Sequence, residues 1–233
     1  MWDQLESGFR SVLQSALEAR RDFDGLSAAM TQIFMTSEDL FERLQQEPRL
    51  APDFAHVKCK QGCAHCCYYK VAASPAEILV IAGFIRRSLE GDTLDAVREG
   101  VTEARQKTDG LPALDRLKSK TACPLLVDNS CSIYVLRPAQ CRSSNSTSVS
   151  RCRTALERGK DMEIKGVAAQ RSFFKDMLTR LIKVQEDLNL PSGRIELIAG
   201  LDIALESDDV TDRWLAGEDV FAPARIAELE GAA

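Results

Sequence analysis

Two histidines, no run of about 18 apolar residues and no basic excess already limit what this 233-residue chain can be. Without such a run there is no candidate for a membrane-spanning helix, and a membrane partner is not expected. The opening residues, Met1-Trp2-Asp3-Gln4-Leu5-Glu6, offer neither a basic region nor an apolar stretch of the secretory kind, so the expected compartment is the cytoplasm. A formal charge of −5 argues against nucleic acid as a partner of the whole surface, because phosphate binding needs basic excess. Gly91, Gly100 and Gly110 stand ten apart and do not form a phosphate-cradling loop. No internal repeat and no catalytic base stand out. The partner, protein or small molecule, is therefore left open.

What the chain does have is cysteine, eight in all, within an otherwise ordinary globular composition of 45% hydrophobic and 28% charged residues. A reducing compartment disfavours structural disulfides and leaves thiolates free for metals or redox chemistry. Four cysteines fall within nine residues, Cys59-Lys-Gln-Gly-Cys63-Ala-His65-Cys66-Cys67. Adjacent half-cystines rarely pair, since their Cβ vectors diverge, so this thiol-rich turn with a glycine at its centre points to an ion or cluster. Three more, Cys123, Cys131 and Cys141, surround the stretch 123–135, two apolar runs joined by a polar turn, which reads as a short β-hairpin. Both groups lie in basic surroundings: three lysines and no acid from Lys58 to Lys70, four arginines and no acid from Arg137 to Arg153. Such charge would offset a multi-thiolate site or hold an anion.

Elsewhere the periodicity is helical. Trp2, Leu5, Phe9, Val12, Leu13 and Ala16 share one face, and Leu26, Met30, Ile33, Ser37, Leu40, Phe41 and Leu44 share another after a break near Asp24-Gly25. Ser74-Pro75-Ala76-Glu77 is a capping box with proline at the first helical position. Further helices are expected over 78–89, 93–107, from Glu163 to Ile182 and over 195–205, with a packing segment and last helix in the tail through Ile226 and Leu229. The fold expected is mainly α, a helical domain with a small cysteine-bearing β-hairpin and metal-binding turn. Its parts are an N-terminal helical hairpin over 1–52, a cysteine-cluster region over 53–160 and C-terminal helices over 161–233, all in one compact domain.

The order C-x3-C-x2-C-C followed by C-P-L-L-x4-C-S-I-Y-x2-R-P-x2-C-R resembles the zinc- or iron-chelating cysteine-cluster family, also called the CxxCxxCC or YkgJ-type family. The resemblance covers about residues 59–142. It implies Cys59, Cys63, Cys66, Cys67, Cys123, Cys131 and Cys141 as ligands of zinc or an iron–sulfur cluster. The first interval is three residues here and two in the family. Cys152 and His65 fall outside the pattern. Some relatives look like flagellin lysine methylases, and many carry the label iron–sulfur oxidoreductase. Seven or eight sulfurs exceed one four-thiolate site, so some are spare or there are two metals. Cysteine-only ligation suits zinc and iron–sulfur alike; the sulfur excess, the vicinal pair and the basic neighbours favour iron–sulfur, with a redox or protein-modifying role. Arg137 and Arg142, which bracket Cys141, are candidates for contact with the cofactor or with a substrate carboxylate. The alternatives are a structural zinc module that binds a partner, and a metal carrier or thiol sensor.

Overall fold

The computed structural model describes residues 2–160 and 162–226, and among them the protein is mainly helical, with eleven α-helices and two two-stranded sheets. The expected last helix through Leu229 lies outside the described residues.

Helix α1 (Trp2–Ala19) buries Phe9, Leu13 and Leu17, and α2 (Phe23–Gln46) buries Leu26, Met30, Ile33 and Phe41, so the two faces seen in the sequence are the ones that meet. Asp22 caps α2 by accepting the N–H groups of Asp24 and Gly25. The corner needs Gly25, because a Cβ there would stand 1.9 Å from the Arg20 carbonyl oxygen, and backbone cannot give way. Gly25→Ala is expected to cost about 1–3 kcal/mol, the usual penalty of overpacking. A thermal melt unchanged from the native chain would contradict this.

Short α3 (Ala51–Phe54) leads to the first cysteines and then to β1 (Ala72–Ala73). Helix α4 (Pro75–Ser88) is the hub of the core, with ten of its fourteen residues buried. It begins at the expected capping box: Ser74 Oγ accepts the Glu77 N–H, and Glu77 reaches back to the Ser74 N–H. Helix α5 (Gly91–Thr108) matches expectation, whereas α6 (Ala113–Lys118) is an addition that its short length hid.

Strands β2 (Leu126–Val127) and β3 (Ser130–Cys131) form the expected hairpin. Asp128 and Asn129 both take positive φ, 49° and 61°, the signature of a type I′ turn. The hairpin is shorter than its apolar runs suggested, since Tyr134–Leu136 turns into a 3₁₀ segment that leads to α7 (Ala139–Ser143) and α8 (Val149–Arg158).

Helix α9 (Ala168–Asp187) starts five residues later than the periodicity implied. Asn145 holds the preceding stretch extended, accepting the Val167 N–H and donating to the Val167 carbonyl. Phe173 and Phe174 of α9 join Trp2, Phe41 and Phe54 in an aromatic cluster with ring centroids 4.9–5.6 Å apart. Strand β4 (Ile195–Glu196) pairs antiparallel with β1, α10 (Leu197–Glu206) packs on α4 and α5, and α11 (Val210–Leu215) buries Trp214. One apolar core runs from Phe9 to Ala224. No helix is long and apolar enough to cross a membrane among the described residues.

Candidate metal centre

The cysteines sit where short elements meet on one side of this core. The loop bearing Cys59 and Cys63 folds into a tight turn, the Cys63 N–H reaching the Lys60 carbonyl at 3.0 Å, with Gly62 at φ +85°, a conformation that suits glycine. The next turn, a 3₁₀ segment over His65–Tyr68, carries Cys66 and Cys67. The hairpin is tied to it by the Cys123 N–H, 2.8 Å from the Cys67 carbonyl. The loop before α8 is tied to the first cysteine: the Ser146 N–H points at Cys59 Sγ, 3.1 Å away, and the Lys58 N–H reaches the Ser146 carbonyl at 2.8 Å. Two distant parts of the chain therefore close on the same place.

The mutual influence of the thiols divides them into two groups that share Cys66. Cys141 feels Cys123, Cys66 and Cys131, and these four form an inner group, with Cys67 acting on Cys66 beside it. Cys59 feels Cys63, Cys66 and Cys152, which form an outer group. Cys152, outside the sequence pattern, thus reaches the cluster on α8, which packs on the 3₁₀ turn. Burial raises the Cys123 thiol to about 12, assisted by Cys131 and opposed by Arg116, and raises Cys59 to about 11, opposed by the Ser146 N–H. Burial likewise lifts Cys131 and holds Cys141 well above the ordinary thiol range; Cys66 is raised first by the neighbouring Cys67 and then by burial. At neutral pH these sulfurs carry protons that a metal would have to displace.

Arg137 is the cation that acts on three sulfurs of the inner group. Its guanidinium lies 3.6 Å from the centre of the Tyr134 ring, its Nε donates to the Tyr134 carbonyl at 3.0 Å, and its charge favours the thiolates of Cys66, Cys131 and Cys141. Arg142 is placed differently. Its side chain is buried against Phe34, donates to the carbonyls of Val135 and Arg137, and pairs with Glu38 of α2, so in this structure its donors are engaged by the fold. His65 is half-buried in the 3₁₀ turn, and His56 is exposed.

Sequence reasoning passed over two side chains beneath the sulfurs. Glu77, 1% exposed, accepts the Ala139 N–H at 2.7 Å as well as the N–H and hydroxyl of Ser74, and so holds the start of α7 two residues ahead of Cys141. Only its capping role was visible in the sequence. Arg116, also 1% exposed, feels the charges of Glu196 and Cys123. No periodic or motif signal marks it.

Among the described residues no three His, Cys, Asp or Glu side chains already stand as a coordination sphere. The donors nevertheless suit zinc or an iron–sulfur cluster: eight free cysteines on a loop, a 3₁₀ turn, the hairpin, α7 and α8, with the buried Arg116 guanidinium, whose Nε and Nη2 have no partner, acting on Cys123. Comparison with known proteins agrees. Residues 58–167 match the model of the CxxCxxCC family, described as a "putative zinc- or iron-chelating domain". The matched stretch extends past Cys141 to take in Cys152. No curated protein and no solved structure matches the chain.

Proposed function

We propose that the inner group, Cys66, Cys123, Cys131 and Cys141 with Cys67 at its edge, holds an iron–sulfur cluster that serves a redox or protein-modifying reaction in the cytoplasm. The observation that supports this reading is that Cys66, Cys131 and Cys141, from three separate elements, all feel the Arg137 guanidinium, and that Cys141 feels Cys123 as well. A cluster on four thiolates is anionic, and nearby cations and N–H donors set its potential. When bound, such a group supplies one-electron chemistry. The chain supplies the sulfurs and the charge of Arg137. The outer group, Cys59, Cys63 and Cys152, is then left for a second metal, a bridge or free thiols.

Zinc is the second reading, favoured by the backbone ties that join the hairpin and the α8 loop to the cysteine turns, as a structural site would. The test is anaerobic purification without added metal, with elemental analysis and an absorption spectrum on one sample. Iron and sulfide in near-equal amounts with broad absorption near about 400 nm are expected for a cluster. Stoichiometric zinc without colour would replace it with the structural module, and a folded chain free of both would remove the metal centre altogether.

A further inference from the structure

Arg116 is the one described side chain with two buried nitrogens, Nε and Nη2, that find no hydrogen-bond partner. Its third nitrogen, Nη1, donates to the carbonyl of Thr121, two residues before Cys123, and this anchors the guanidinium under the start of the hairpin. Burying a guanidinium with open donors costs several kcal/mol, which a fold does not tolerate without a compensating anion. Glu196 is the carboxylate whose charge Arg116 feels, but its Oε2 is engaged at the head of α10, accepting the Ala199 N–H at 2.8 Å, and no bond joins it to Arg116. The other charge that Arg116 feels is that of Cys123. The neutral thiol of the metal-free chain offers little to a guanidinium. A metal-bound sulfur carries negative charge and accepts N–H bonds.

We propose that Arg116 is a positioning residue of the metal centre, whose free N–H groups hold the Cys123 sulfur in its metal-bound, anionic form. The inference rests on the metal-centre reading above. It gives the two halves of the site different cations: Arg137 on the side of Cys66, Cys131 and Cys141, and Arg116 from below at Cys123. It also gives the two open donors of the guanidinium an anion, which no described carboxylate bonds to.

The test uses the full chain loaded with cobalt(II) as a spectroscopic probe of thiolate ligation, and with zinc for release to a chromophoric chelator. In Arg116→Gln, zinc release is expected to quicken by about 10- to 100-fold, the usual effect of removing an outer partner of a ligand, and the sulfur-to-cobalt charge-transfer band to shift. Arg116→Lys keeps the cation but not the fork of donors, and is expected to fall between Gln and the native chain in both readouts. Circular dichroism of each metal-free variant separates these effects from loss of fold. Should Arg116→Gln fail to fold, Arg116→Lys decides. A native band and native release rate in the folded variant would overturn the proposal. A native chain that takes up no cobalt, zinc or iron would instead remove the metal centre, and the role of Arg116 with it.

Discussion

Cys141→Ser is expected to lower metal affinity by two to three orders of magnitude, because Cys141 is the sulfur on which Cys123, Cys66 and Cys131 all act. A four-thiolate site binds with roughly 10–16 kcal/mol, so removing one ligand forfeits on the order of 3 kcal/mol or more. Metal content after gel filtration in the presence of a chelator gives the readout, and full retention by the variant would move the centre elsewhere. Cys152→Ser, which touches only the outer group, should leave that content largely intact. Uptake should also strengthen as pH rises, since loading displaces protons from thiols that burial keeps neutral. The metal-free chain responds in the opposite sense. Cys123 is raised from 9.0 to about 12, so the fold holds its proton more tightly than the unfolded chain does. The stability this gives is complete below pH 9.0 and is lost as pH rises toward 12, by up to about 4 kcal/mol for this thiol alone. Alkaline melts of metal-free and loaded protein should diverge over that window.

Glu77→Ala should be the most damaging substitution outside the cysteines. It strips partners from two buried N–H groups, those of Ser74 and Ala139, and removes half of the capping box. Leaving buried donors open costs about 1–3 kcal/mol each, so a loss on the order of 4 kcal/mol is expected in denaturant unfolding. Glu77→Gln, which keeps one carbonyl acceptor, should lose less. Because the Ala139 N–H opens α7, metal retention should weaken together with stability. An Ala variant as stable as the native chain would show that α7 is positioned by other contacts, such as Gln140, which accepts the Ala72 N–H at 2.6 Å.

The helices over 2–46 and 75–108 were legible because each carries a one-sided apolar stripe, and for α4 a cap whose chemistry is local. The hairpin was legible through its polar turn, and the cysteines through their spacing. What the sequence hid is what depends on distant partners. The start of α9 is set by Asn145, twenty-two residues upstream of Val167, and β1 and β4 exist only because they meet. Cys152 lay outside every pattern until α8 carried it toward Cys59. The fates of the two arginines beside Cys141 likewise depend on Tyr134 and Glu38, which no local reading connects to them. Arg116 shows the limit most plainly, because the short helix that carries it left no periodic signal and nothing beside it speaks of a buried charge.

The tie between Ser146 and Cys59 joins residues 87 apart in the chain. Closing a loop of that length costs about 4 kcal/mol of chain entropy beyond a constant, so the outer rim of the centre forms only after the helical scaffold has brought its ends together. The cysteines from Cys63 to Cys67 need no such closure and are free to chelate as soon as they are made. Assembly is thus a matter of timing: metal captured early would sit on fewer sulfurs than the folded chain brings together.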